Sequence, residues 1–292
     1  MKVAIYGRKF GEDFSPFVQE LFDYLHQNNI DVIIYEPFLS FLKPRITFKE
    51  KPEYFTHHSK IRDNADFLIS IGGDGTMLGT LPLVRNYGIP VVGINAGRLG
   101  FLSNIQKEQI KEVVDALVNK TYKLDSRNLL KLVTKENLFG NTNYALNELT
   151  VHKKDSSSMI TIHCYIDNEY LNSYWADGLI VSTPTGSTAY SLSCGGPIVA
   201  PGSDNFIITP IAPHNLTVRP VVVSDKKEIK LVIEGRSDEF LVSLDSRSET
   251  ISSNSEIIIR KANSKMTLVQ LENQSYFKTT RNKLLWGLDK RN

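Results

Sequence analysis

The hydrophobic pattern of this chain changes period once, near residues 125–129, and that single change limits what it can fold into. Before it, short apolar runs alternate with helical spacings. Val3–Tyr6 reads as a strand stopped by Gly7, and Val18, Leu21, Phe22 and Leu25 recur at i, i+3, i+4, i+7 as the face of a helix. Val32–Tyr35 is a second strand closed by Pro37, and the polar stretch from Pro44 to Lys60 reads as a loop. Phe67–Ile71 and Ile89–Ile94 are a third and a fourth strand. Met77, Leu78, Leu81 and Val84 mark a helix that Pro82 must kink, unless it sits where a hydrogen bond is already absent, and Ile110, Val113, Val114 and Leu117 mark another. Buried strands alternating with helices predict a parallel sheet covered on both faces. From Leu129 on, runs rich in Val, Ile, Thr and Tyr follow one another at 129–134, 144–152, 159–170, 178–183, 206–211, 228–234, 239–244, 256–260 and 266–271, and helical spacing all but vanishes. The predicted fold is an α/β domain over 1–127 and an all-β, sandwich-like domain over 128–271. The tail, 272–292, carries the apolar Leu284, Leu285 and Trp286 and is expected to pack back on the first domain.

At 292 residues there is room for two hydrophobic cores, since a domain takes roughly 150 residues. The 34 Lys and Arg against 32 Asp and Glu leave a charge of +2, too little for a nucleic-acid surface. Cys164 and Cys194 have no metal or CxxC spacing and fit a disulfide-free protein of a reducing compartment. The start of the chain turns polar at Arg8 and Lys9, without the apolar core of a signal peptide, and no run of about 18 apolar residues could span a membrane. A cytoplasmic location with no membrane partner is expected. The six histidines show no ligand spacing, so a histidine metal site is not expected.

Three segments carry chemistry. Gly72-Gly73-Asp74-Gly75-Thr76 joins a strand to a helix, where parallel sheets place their ligands. Glycines there let backbone N–H groups close on a phosphate, and the helix start adds positive charge. A tight turn in which Asp74 merely caps the helix would look the same. The spacing is neither a dinucleotide fingerprint nor a P-loop. The second segment, Asp177 to Gly196, runs from a strand into a turn with several hydroxyls and Gly186, then into a helix from Thr188. So many small donors beside a helix start suit a phosphate or a planar polar ligand, or an elaborately capped turn. Ser187 lacks the Gly-x-Ser-x-Gly flanks of a nucleophile elbow. The third, Asn147-Glu148, sets a carboxamide beside a carboxylate at a strand position. That pair suits ribose hydroxyls, or is two polar residues exposed on a strand edge.

In this order, the glycine turn, Asn147-Glu148 and Thr183-Pro-Thr-Gly-Ser-Thr-Ala-Tyr-Ser-Leu-Ser193 strongly resemble the NAD kinase family. Gly93–Leu102, Gly195-Gly-Pro197 and Pro213–Pro220 support the resemblance, which covers nearly the whole chain. It implies transfer of the γ-phosphoryl of ATP to the 2′-hydroxyl of the adenosine ribose of NAD, giving NADP, with Mg²⁺ or a similar divalent cation. It further implies Asp74 as proton acceptor with Gly75 sharing its contact, and Gly72, Gly73, Gly75 and Thr76 on the phosphates. Asn147 and Glu148 would hold the adenosine, and Thr188, Ala189, Tyr190, Ser191, Leu192 and Ser193 would line the adenine. Asp177 would face the nicotinamide half, with Ala212 and Arg247 completing the pocket after the Asp245-Ser246 turn. Ser158 matches a variable family position. At Trp175 many NAD-using members carry a basic residue; an indole stacks but offers a phosphate no cation, which leaves the choice between NAD and NADH open. The resemblance also implies a homodimer or homotetramer. A non-catalytic NAD(P)-binding regulator, or a lipid or sugar kinase sharing Gly-Gly-Asp-Gly, are the alternatives.

Overall fold

A computed structural model describes residues 1–62, 64–84, 87–154, 159–253 and 255–287. The chain forms two compact units, one of Met1–Ser126 with the residues from Met266 on, the other of Arg127–Lys265.

The first unit contains β1 (Lys2–Gly7), α1 (Ser15–Gln27), β2 (Asp31–Tyr35), α2 (Glu36–Leu42), β3 (Glu53–Phe55), α3 (Ser59–Arg62), β4 (Phe67–Gly72), α4 (Asp74–Leu78), α5 (Leu81–Val84), β5 (Val91–Asn95) and α6 (Ile110–Asn119). Its strands pair in parallel in the order β5-β4-β1-β2-β3, with Ile5 opposite Ile69 and Ile69 opposite Val92. Helices cover the sheet because the spaced apolar residues of α1 and α6 are buried: Val18, Leu21 and Leu25 on one, Val113, Val114 and Leu117 on the other. That burial follows the helical period. Pro37 does not end a segment; it stands in the first turn of α2, where its missing N–H has no helical acceptor to lose. The stretch read as a loop holds β3, an edge strand of three residues, and the start of α3. Pro82 kinks nothing: it is the second residue of α5, in the first turn, where its missing N–H has no helical acceptor to lose, and Thr80 takes the Leu83 and Val84 N–H groups that start this helix.

In the second unit two antiparallel sheets stack. One has the order β13-β12-β11-β8-β15-β16, from β8 (Glu148–Lys153), β11 (Gly178–Ser182), β12 (Asn205–Ile211), β13 (Val221–Ser224), β15 (Glu239–Leu244) and β16 (Arg247–Ser252). The other aligns β10 (Glu169–Ala176), β9 (Ile160–Ile166), β14 (Ile229–Glu234) and the first residues of β17 (Glu256–Leu271). Alternate residues of each, such as Val151, Val181 and Val242 against Ile162, Leu231 and Ile257, form one core. β6 (Tyr122–Val133) and β7 (Tyr144–Ala145) pair beside it. The expected strand 159–170 is a hairpin, turning at Asp167 and Asn168, both with positive φ. The expected strands 256–260 and 266–271 are one, since Lys261–Lys265 continues the extended chain.

After β17, α7 (Tyr276–Leu284) ends at Leu285 in the left-handed region. It buries Thr279 and Thr280, while Leu285 and Trp286 stay 67% and 53% exposed. The tail belongs to the same compact unit as Met1–Ser126, with Gln274 donating to the Asn104 carbonyl and Lys283 to that of Leu99, while this apolar end stays open to solvent.

Candidate active site

In the first unit the glycine turn lies at the carboxyl end of β4. Gly72 has φ +152°, and a Cβ there would stand 2.3 Å from Thr76 Oγ1, so no other residue fits. Gly73 and Gly75 are exposed, and nothing lies within 4 Å of where their Cβ would be. The Gly73 carbonyl accepts the Thr76 and Met77 N–H groups, which starts α4, and the first N–H groups of that helix have no helical acceptor. Asp74 does not cap its own helix. Its carboxylate reaches a separate loop, where Oδ2 accepts the Phe101 N–H at 2.8 Å and Oδ1 accepts those of Leu102 and Ser103 at 3.0 and 2.8 Å. Gly100 allows this, since its Cβ would overlap Asp74 Oδ1 at 2.0 Å. Asn95, buried at the end of β5, shapes the same loop through the Arg98 and Ser103 carbonyls and the Gly97 N–H. The segment Gly93–Leu102 is thus the partner of Asp74, a relation that its position 27 residues away hides from a reading of the sequence.

In the second unit Asn147 and Glu148 sit at the start of β8, which is flanked by β11 and β15. They are 6% and 8% exposed, so the expectation of two polar residues on a solvent-facing edge is overturned; β8 is a central strand. Asn147 Oδ1 and Glu148 Oε2 are buried without a hydrogen-bond partner. Burial, and then the nearby Asp245 carboxylate, push the Glu148 carboxyl up to about 8 against its ordinary 4.5, with the Tyr190 N–H pulling the other way. The backbone around them is fully engaged. Thr183 donates through Oγ1 to the Leu146 carbonyl at 2.5 Å and through its N–H to that of Asn147 at 2.8 Å. Asp245, at the hairpin turn between β15 and β16 with φ +53°, accepts the N–H groups of Leu146, Asn147 and Glu148 at 2.9, 2.8 and 3.2 Å. Nothing but its place in an Asp-Ser turn signalled that role.

The remaining predicted residues of this unit divide by exposure. Tyr190 shows 40% of its surface and Ser193 is exposed, while Thr188, Ala189 and Leu192 are half-buried. Ser191 is fully buried and shares a hydrogen bond with Thr209 at 2.9 Å, so its hydroxyl faces the interior. Ser187 is likewise engaged with Pro184 and Val199. Asp177 pairs with Lys153 at 2.6 Å, their side chains 32% and 17% exposed. Trp175 is exposed and lies edge-on to His214, ring centres 4.5 Å apart, and Ala212 beside it holds φ +45°. Arg247 donates to the Thr142 and Tyr144 carbonyls. Ser158 lies outside the described residues. Among the described residues no three His, Cys, Asp or Glu side chains converge as a metal cage. No helix among the described residues is long and apolar enough to cross a membrane.

Residues 3–122 match the ATP-NAD kinase N-terminal domain family and residues 146–271 the ATP-NAD kinase C-terminal domain family. The chain is 52% identical to the NAD kinase of Cytophaga hutchinsonii over 294 aligned positions and 48% identical to that of Flavobacterium johnsoniae, each covering all of both chains. Among solved structures it resembles yeast NADH kinase complexed with NADH, at TM-score 0.87 and 25% identity over 98% of this chain and 88% of that one. It also resembles an NAD kinase from Archaeoglobus fulgidus in complex with ATP, at TM-score 0.75 and 25% identity over 98% and 99%. A lipid or sugar kinase that shares only the glycine turn would not match across β8, the Thr183–Ser193 run and the Asp245 hairpin as well. With both halves matched, and full-length relatives at half identity, the chain belongs to the NAD kinase family.

Proposed function

We propose that Asn147 and Glu148 hold the adenosine of NAD and that the protein transfers the γ-phosphoryl of ATP to its ribose 2′-hydroxyl to give NADP. The observation that carries this reading is the pair of buried, unpartnered oxygens on Asn147 and Glu148. An unpaired buried polar atom costs about 1–3 kcal/mol, a cost a fold keeps where a ligand will fill it. A Glu148 carboxyl raised to about 8 stays protonated at neutral pH, so it can donate one hydrogen bond and accept another. Asn147 Oδ1 accepts. Together they match a ribose hydroxyl or the edge of adenine, and the exposed Tyr190 ring offers a stacking face.

At the glycine turn, the open Gly73 and Gly75 let N–H groups approach phosphate oxygens, and Asp74 takes the proton of the attacking hydroxyl. Mg²⁺ or a similar cation arriving with ATP supplies charge neutralisation on the phosphates. Asp177 and Ala212 serve the nicotinamide half. Association into a homodimer or homotetramer, which the family resemblance implies, would offer cover to exposed apolar side chains of the second unit such as Trp175, Leu216 and Val222.

The purified protein should make NADP from NAD, ATP and Mg²⁺, read through an NADP-specific dehydrogenase. No NADP with any donor of a panel that includes polyphosphate would overturn the assignment of the reaction. Glu148→Ala should weaken NAD binding in calorimetry; unchanged affinity would remove Glu148 from the substrate.

A further inference from the structure

We infer that the ion pair Lys153–Asp177 sets the choice between NAD and NADH: together the two charges make the nicotinamide end of the site neutral, so that the oxidised and the reduced dinucleotide are both accepted. The inference rests on the proposal that Asp177 serves the nicotinamide half.

NAD and NADH differ at that end by a hydride, and hence by one positive charge that only the oxidised ring carries. Asp177 is the single residue between β10 and β11, where the chain passes from one sheet of the second unit to the other. Its backbone is held on both sides: its carbonyl accepts the Lys153 N–H at 3.0 Å, and its N–H donates to the Ile211 carbonyl at 3.0 Å. Gly178 beside it lies so close on β8 that a Cβ would come within 2.3 Å of the Val151 carbonyl oxygen. Lys153, the last residue of β8, then brings its ammonium to 2.6 Å from the Asp177 carboxylate, with 17% and 32% of the two side chains exposed. The pair is neither sealed in nor open to solvent on all sides, so its field is screened only in part. The loop after Ile211 meets the same corner, where the Trp175 carbonyl accepts the His214 N–H at 2.9 Å. Trp175 itself is exposed there and brings no charge. Burial, and then the Cys194, Asp177 and Glu148 groups, hold the Tyr190 hydroxyl above its ordinary range, so this corner shares one electrostatic field with the residues proposed for adenosine.

A carboxylate alone at such a corner favours the cationic ring, and an ammonium alone favours the neutral one. At 2.6 Å from each other the two charges largely cancel at the distance of a bound ring. The ring takes no part in phosphoryl transfer to the ribose 2′-hydroxyl, so its charge acts through binding and is read in KM.

The test is kcat/KM for NAD and for NADH with ATP and Mg²⁺ fixed, the phosphorylated products being separated by ion-exchange chromatography. The wild type should use the two dinucleotides within about tenfold of each other. Lys153→Met, or Lys153→Gln if the thioether disturbs packing, should raise the NAD to NADH ratio about tenfold, and Asp177→Asn should lower it by about as much. The double variant should return near the wild-type ratio, and Lys153→Arg, which keeps the charge, should hold it. Both single shifts should shrink as salt is raised from about 0.05 to about 0.5 M. A pair that merely braces the chain would cost NAD and NADH alike, so equal losses in the single variants would overturn the inference, as would a wild type that accepts only one of the two. If Asp177→Asn shifts the ratio and neither Lys153→Met nor Lys153→Gln does, the inference fails while Asp177 keeps its place at the nicotinamide. If none of them changes the ratio or the KM for NAD, Asp177 does not meet the nicotinamide half and both fall.

Discussion

Asp74 in the first unit and Asp245 in the second use one device in two settings. Each carboxylate accepts three successive backbone N–H groups of a distant segment, 101–103 in one case and 146–148 in the other. Their surroundings differ. Asp74 is half-buried beside two glycines that leave open space. Around Asp245 the turn stays partly exposed, but the carboxylate is enclosed, with Arg247 as counter-charge and the Glu148 carboxyl close by. Under the proposed function the same anchor would serve chemistry where solvent and substrate can reach it, and only architecture where they cannot. In the second unit the residues proposed to meet the ligand, Asn147 and Glu148, are the ones anchored, not the anchor.

Substitution at the two aspartates should separate these roles. Asp74→Asn should lower kcat by about 10²–10⁴, the usual cost of losing a general base, with NAD affinity retained. Steady-state kinetics beside calorimetry checks this, and near wild-type turnover would reduce Asp74 to an anchor like its counterpart. Asp245→Ala should act mainly on the fold. Leaving buried N–H groups and the Arg247 charge without their partner costs about 3–5 kcal/mol, read from urea unfolding. If it instead abolished turnover at undiminished stability, the contrast between the two sites would collapse.

The third difference is electrostatic. Below pH 4.5 Glu148 is protonated in both the folded and the unfolded chain. Between that value and about 8 the folded protein keeps a proton that the unfolded chain has released. Stability is thus full at the acid end, falls as pH rises by up to about 1.4 kcal/mol per unit, and levels off above the folded value. Urea midpoints from pH 5 to 9 should show this decline in the wild type and lose it in Glu148→Gln. Parallel profiles for the two proteins would mean that Glu148 is ionised when folded.

The glycine turn was legible because its chemistry is local: strand, glycines, acid and helix follow within a few residues. The same holds for the two fold classes, which rest on a period repeated many times. What escaped notice was non-local or ambiguous. Asp245 lies 97–99 residues from the amides it binds, and no spacing rule reaches that far. Pro37 fits a strand end and a helix first turn equally well, and β3 is too short and too exposed to show alternation. Asn147 and Glu148 look like surface residues by type; only pairing on both sides of β8 shows that they are interior.

Gly186 fixes how these two parts of the second unit can vary over time. A Cβ at that position would come within 2.1 Å of the Asn147 carbonyl oxygen, so main chain rests on main chain with no side chain between them to absorb a change. Any larger residue there would have to push Asn147 aside, and any shift of Asn147 toward the turn is blocked in the same way. The two segments consequently have no independent route to change, and a lineage that altered the spacing of one would need the matching alteration in the other at the same step.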